Sequence, residues 1–276
     1  MADRILYVSD LDGTLLRNDM TVSPYSVETI NRLVEKGLGF TYATARSIEI
    51  ARTVTSDLRL KLPVITRNGA VLADNTDGRA IRKNLFSQKD ISFLKSALSD
   101  IAPYGFVSSF FGEKMDRLYL DAEHSEGLAG YIDYYRDDNS MYAVDDIDSI
   151  FGGNPCYVTL IGDREDIEPI YNRLKDAYEL EYIFQKDIYR DEYWLDITPK
   201  DCTKAKTLLR LKEELGFDKL VIFGDSLNDM SMFKIADECY AVANAIDDLK
   251  NAATGVIGSN EEDAVARFLE ERAAEI

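Results

Sequence analysis

Ile5-Leu6-Tyr7-Val8, followed after Ser9 by Asp10-Leu11-Asp12-Gly13-Thr14, is the stretch on which the fold turns. The apolar run reads as a buried strand, and it delivers two carboxylates, two residues apart, to the strand's end. In an open parallel α/β sheet, sites form just beyond the carboxyl ends of strands. An aspartate there can attack a phosphoryl group and form an aspartyl-phosphate, while a second can protonate the leaving oxygen and later activate water. The bland alternative is an acidic turn in which Gly13 supplies a positive φ.

Working outward, the first eighty residues alternate strand and helix: Ile5–Ser9, a helix Ser26–Lys36 closed by Gly37, Gly39–Ala43, a helix Ser47–Leu58, and a short strand Pro63–Thr66. This βαβαβ rhythm predicts a parallel sheet with right-handed crossovers. Val71–Ala73 and Ala80–Arg82 come next as a hairpin. From Asn84 to Glu192 the pattern changes to mixed helices and strands. That segment holds 18 of the chain's 29 aromatic residues and 23 acidic against 10 basic residues, a composition that marks a separate α+β domain. Leu195–Thr198, a helix from Lys204 to Leu215 and the strand Leu220–Phe223 then resume the first rhythm. The expected fold class is therefore α/β: a Rossmann-like parallel-sheet core, residues 1–83 and 193–276, with an inserted α+β domain, residues 84–192.

Composition narrows the partners. The chain has 276 residues, 50 acidic and 32 basic, for a net charge of −18. That balance opposes nucleic acid and anionic membrane. No run approaches the ~20 apolar residues of a membrane span, and no signal-peptide pattern opens the chain, so a cytoplasmic protein is expected. Cys156, Cys202 and Cys239 are scattered and odd in number, which supports neither a disulfide framework nor a zinc site.

A second acidic cluster repeats the opening logic. Gly224-Asp225-Ser226-Leu227-Asn228-Asp229 succeeds an apolar strand, and Asp225 at that tip, with Asp10 and the Asp12 carbonyl, suits the octahedral oxygen coordination of Mg²⁺. A helix N-cap is the plain alternative for Asp225. Thr44-Ala45-Arg46 follows the strand Gly39–Ala43, where a hydroxyl and the amides opening the next helix can bond a phosphoryl oxygen. Lys204 at a helix start offers a compact positive charge.

In that order, these motifs closely resemble the haloacid dehalogenase superfamily, specifically its Cof-like subfamily IIB, over nearly the whole chain. The resemblance implies that Asp10 is the nucleophile, Asp12 the acid/base, Thr44 and Lys204 the phosphate-contacting pair and Asp225 a metal-binding residue, with Asn228 and Asp229 beside it. The candidate metal set is thus Asp10, Asp12, Asp225 and Asp229; the phosphate and substrate set is Thr44, Ala45, Arg46, Lys204, Asn228 and Asn68. Ala45 and Ala205 stand where the family usually has glycine. The tail also resembles that branch, through Ala241-Val242-Ala243-Asn244-Ala245 and Gly258-Ser259-Asn260-Glu261-Glu262-Asp263-Ala264-Val265-Ala266. The function that the resemblance implies is that of a Mg²⁺-dependent phosphatase of small phosphorylated metabolites, sugar phosphates foremost, with the insertion as a specificity lid. A phosphomutase of the same superfamily and a non-catalytic binding protein are the alternatives. His124, the only histidine, reads as a surface or capping residue, and Tyr131, Tyr134 and Tyr135 as packing residues of a helix. Asn68-Gly69 reads as a turn, and Arg46 as a partner either of a substrate anion or of an acidic neighbour.

Overall fold

In a computed structural model, residues 3–136, 140–187 and 190–274 are described. The chain divides into two compact units, Met1–Arg82 with Thr203–Ile276, and Lys83–Cys202. In chain order the strands are β1 (Ile5–Ser9), β2 (Gly39–Tyr42), β3 (Val64–Thr66), β4 (Val71–Ala73), β5 (Ala80–Lys83), β6 (Gly105–Phe111), β7 (Lys114–Leu120), β8 (Met141–Val144), β9 (Asn154–Gly162), β10 (Glu181–Lys186), β11 (Tyr193–Thr198), β12 (Lys219–Gly224), β13 (Glu238–Ala241) and β14 (Gly255–Val256). The α-helices are α1 (Pro24–Glu35), α2 (Ile48–Val54), α3 (Gln88–Ala97), α4 (Glu126–Tyr134), α5 (Ile147–Ile150), α6 (Arg164–Leu174), α7 (Lys204–Leu215), α8 (Met230–Phe233), α9 (Asp247–Ala252) and α10 (Ala264–Ala274).

The first unit is built on a five-stranded sheet in the order β14-β13-β12-β1-β2, parallel throughout. Its central strands, β1 and β12, read as unbroken apolar runs because both faces are covered. Leu6, Val8, Leu220 and Ile222 pack with Leu208 and Leu211 of α7. Elsewhere in this unit Phe268 of α10 meets the rings of Phe223 and Tyr240. Helix boundaries match their caps: Ser23 caps α1 ahead of Pro24, and Gly216, in the left-handed region, closes α7. The strand expected at Pro63–Thr66 joins differently. Val64–Thr66 forms an antiparallel ladder with β4 and touches the end of β2 through one parallel bridge, Ala43 to Ile65.

The second unit is a six-stranded sheet in the order β10-β11-β9-β6-β7-β8, antiparallel except for the β7–β8 pair. Alternate residues supply its core: Val107, Leu118, Val158 and Leu160 pack with Ile91, Leu94, Ile167 and Ile170 of α3 and α6, while Phe106 and Ile161 face Leu128 of α4. One expectation is corrected here. Leu195–Thr198 does not resume the parallel core but belongs to β11, between β9 and β10, so this unit runs past Glu192. The reason lies in periodicity: Leu195 and Ile197 enter the second unit's core, while Trp194 packs on the opposite face. A half-buried antiparallel strand alternates in this way.

Candidate active site

Every group in the acidic site comes from an end of a first-unit element. The Asp10 amide donates to Phe223 O at 3.0 Å, which joins the tips of β1 and β12. Lys204, the first residue of α7, is buried and bridges two carboxylates: Nζ donates to Asp10 Oδ1 at 2.6 Å and to Asp229 Oδ1 at 2.9 Å. Asp229 Oδ2 accepts the backbone amides of Asp225 and Ser226, at 3.1 and 3.2 Å. Asp225 Oδ1 accepts the Thr14 hydroxyl at 2.8 Å. Gly13 fits between these groups because it lacks a side chain: at φ 71°, a Cβ there would lie 2.5 Å from Asp225 Oδ2. Asp225 is therefore no helix cap. The capping box of the next turn, Leu227–Asp229, is made by Ser226 and Asp229.

The start of α7 is set by a turn across from it. Asn68 and Gly69 lie in a short turn at positive φ, and a Cβ on Gly69 would sit 2.4 Å from Thr203 O. The Thr207 hydroxyl donates to Gly69 O at 2.9 Å. The Asn68 amide donates to Thr44 O at 3.0 Å. Asn68 and Gly69 thus position Thr44 and Lys204 from one turn. Thr44 is buried, and its hydroxyl oxygen accepts the Arg46 amide at 3.1 Å. Ala45 is half-buried in the same bend. α2 begins at Ile48, capped by Ser47, in line with the helix start expected at Ser47, and Thr44-Ala45-Arg46 form the approach to it. Arg46 pairs with the acidic neighbour: its guanidinium engages both oxygens of Asp12, with Nε to Oδ2 at 2.8 Å. Asn228 Oδ1 accepts the Ser226 hydroxyl. Outside the site, His124 sits against Ala102 O, and Tyr131 stacks on Phe106 while Tyr134 is exposed.

Charge is unevenly balanced here. Asp10, Asp225 and Asp229 are buried, with carboxylate oxygens within 4.8 Å of one another, and one ammonium faces them. Burial alone would lower the Lys204 pKa, but Asp10 and Asp229 outweigh it and hold the lysine charged. The surplus negative charge falls on the acids. Burial first, then Asp229, pushes Asp10 well above the usual carboxylate range against the pull of Lys204. Burial and Asp229 likewise push Asp225 up to about 7, against the Thr14 bond and Lys204. An all-oxygen cluster with excess negative charge fits a hard divalent cation such as Mg²⁺. Thr14 carries geometry that sequence reasoning gave no role; DLDGT was the available signal.

The sequence profile of the haloacid dehalogenase-like hydrolases matches residues 7–269. The chain belongs to that family. It is a phosphoric monoester hydrolase of the Cof-like subfamily IIB, and enzymes of this family generally use Mg²⁺. Two Bacillus subtilis proteins named 5-amino-6-(5-phospho-D-ribitylamino)uracil phosphatase, YitU and YwtE, are each 29% identical to it. The alignments cover 96% of this chain and 96% of YitU, and 95% of this chain and 96% of YwtE. The solved structure of TM0651 from Thermotoga maritima is 25% identical, covers 98% of this chain and 97% of its own, and superposes with a TM-score of 0.73. Among the described residues, no helix is long and apolar enough to cross a membrane.

Proposed function

We propose that the hydrolase cleaves the phosphate ester of a small phosphorylated sugar or polyol through Asp10. The observation that carries this reading is the Asp10 carboxylate at the tip of β1, fixed by Lys204 at 2.6 Å inside a buried, cation-seeking acidic cluster. Asp10 forms the new O–P bond while the ester's C–O–P oxygen departs with a proton from Asp12. Asp12 then takes a proton from water as that water displaces the phosphoryl group from Asp10. Arg46 occupies both oxygens of Asp12, so this proton transfer requires that contact to open, and an anionic substrate is the natural competitor for the guanidinium. Thr44 and Lys204 offset charge on the transferring oxygens.

Asp10 and Asp225 would hold the Mg²⁺, because both oxygens of Asp229 are already bonded. Asp229 is then a holder of Lys204 and of the Asp225 loop. A cation held there would supply charge neutralisation of the phosphoryl oxygens. The names of the B. subtilis relatives, with phosphate on a ribityl chain, support a phosphorylated sugar or polyol. The second unit's separate fold supports its reading as the lid that selects the leaving group. The test is phosphate release from a panel of sugar and polyol phosphates with Mg²⁺ or EDTA, and with Asp10→Asn as control. Turnover confined to Mg²⁺ and lost in the variant is expected; equal release by Asp10→Asn overturns the mechanism.

A further inference from the structure

Two asparagines outside the acidic cluster hold the catalytic loop from behind. Asn244 Nδ2 donates to Gly13 O at 2.7 Å. Its Oδ1 accepts the Asn260 amide at 3.1 Å, which fixes which end of the side chain faces Gly13. Asn260 is buried, and its own Nδ2 donates to Leu16 O at 3.0 Å and to Asn18 Oδ1 at 3.1 Å. The same segment reaches the other acidic loop: the Ile246 amide donates to Asp225 O at 2.9 Å, and the Val242 amide to Gly224 O at 3.2 Å.

The Gly13 carbonyl belongs to the peptide plane that carries the Thr14 amide. Rotation of that plane would swing Thr14, whose hydroxyl is bonded to Asp225 Oδ1, and shift Gly13, which lies flush against Asp225 Oδ2. Gly13 has the freedom to rotate, since it lacks the Cβ that restrains other residues. A bond to its carbonyl is therefore the restraint that the glycine itself does not supply. Asp12 precedes Gly13 directly, so a shift of Gly13 also displaces the acid/base relative to Asp10.

We infer that Asn244 and Asn260 are positioning residues for phosphoryl transfer, a two-asparagine brace that fixes the Gly13–Thr14 peptide and with it the spacing between the Asp10–Asp12 loop and Asp225. The inference rests on the phosphatase reading and adds to it the segment Ala241–Ala245 and the tail Gly258–Asp263, which that mechanism leaves unused. Displacements near 1 Å in a reacting constellation lower rates by about 10²-fold, so the brace acts on kcat more than on substrate affinity.

Asn244→Asp keeps the acceptor for the Asn260 amide and removes the donor to Gly13; Asn244→Ala removes both without adding charge. Asn244 is exposed, which favours folding of both variants. Each is expected to lower kcat about 10- to 100-fold with KM and the thermal midpoint held. Hydrogen exchange of the amides from Asp10 to Leu16 should rise in both. Asn244→Ala with Asn260→Ala should cost less than the product of the single losses, because they act on one element. Wild-type kcat in either Asn244 variant, a loss that tracks the unfolded fraction, or a change confined to KM overturns the brace. A silent wild-type enzyme overturns the phosphatase reading instead, and the exchange rates then decide the brace by themselves.

Discussion

Replacing Asp225 by asparagine should stabilise the metal-free enzyme, and the gain should grow with pH. The carboxyl of Asp225 is pushed up to about 7 by burial and by Asp229, against about 3.9 in an unfolded chain. The native state therefore holds this proton more tightly than the unfolded state, so stability falls as pH rises from about 4 to about 7. The full penalty is present above the folded value and absent below the unfolded one. By this linkage the cost is on the order of 1–2 kcal/mol at pH 5 and about 4 kcal/mol at pH 8. Asparagine carries no such term, and its carbonyl oxygen can still accept the Thr14 hydroxyl. In EDTA, the stability gap between D225N and wild type should widen by about 2–3 kcal/mol between pH 5 and pH 8. Saturating Mg²⁺ should shrink or reverse the gap, since a bound cation stabilises the ionised carboxylate. Urea unfolding monitored by circular dichroism is the assay, because the chain's single tryptophan, Trp194, lies in the second unit. A gap that stays constant from pH 5 to pH 8 would refute the account of Asp225 as a buried acid short of counter-charge.

The same geometry sets three further outcomes. Asp12→Asn should lower kcat by ~10²–10⁴-fold while binding of a non-hydrolysable phosphonate analogue changes little; an unchanged kcat would assign the proton to another group. Gly13→Ala places a methyl group against Asp225 at positive φ and should cost roughly 2 kcal/mol or more in urea unfolding, with a raised Mg²⁺ requirement; wild-type values for both would show that the loop yields freely. Replacing Lys83–Cys202 by a short Gly/Ser linker should preserve weak hydrolysis of an aryl phosphate and flatten the kcat/KM ratios among sugar phosphates. Ratios that persist in a folded truncation would place selectivity in the first unit.

The central strands of the parallel sheet were legible because β1 and β12 are contiguous apolar runs ending in acids, a pattern that survives without knowledge of neighbours. The end of the inserted unit was not. Trp194-Leu195-Asp196-Ile197 alternates, and short apolar residues in such a run satisfy either sheet until pairing with β9 and β10 decides. The strand Met141–Val144 was missed for a related reason: it is an edge strand with two exposed positions, Tyr142 and Ala143, and carries little periodic signal. At the site, strand ends marked Asp10 and Asp225, and a helix start marked Lys204. Whether Asp229 faces a cation or holds Lys204 depends on the direction of one carboxylate, which no spacing encodes. Thr14, Asn244 and Asn260 are single polar residues whose partners Asp225, Gly13 and Leu16 lie 211, 231 and 244 positions away in the sequence; only the folded sheet brings them into register.

The strand order also sets a timetable for biosynthesis. β1, inside the parallel sheet, pairs with β2 on one side and with β12 on the other. Ser9 ends β1 and Lys219 begins β12, with the whole second unit between them. At translation rates of ~5–20 residues per second, one edge of an apolar central strand waits roughly 10–40 s for its partner. An unpaired apolar edge is a template for association with other chains. Rapid, independent folding of Lys83–Cys202 would shorten the effective gap by bringing its ends together before β12 emerges. Variants that slow folding of the inserted unit should therefore lower the yield of soluble enzyme even when every group of the acidic site is intact.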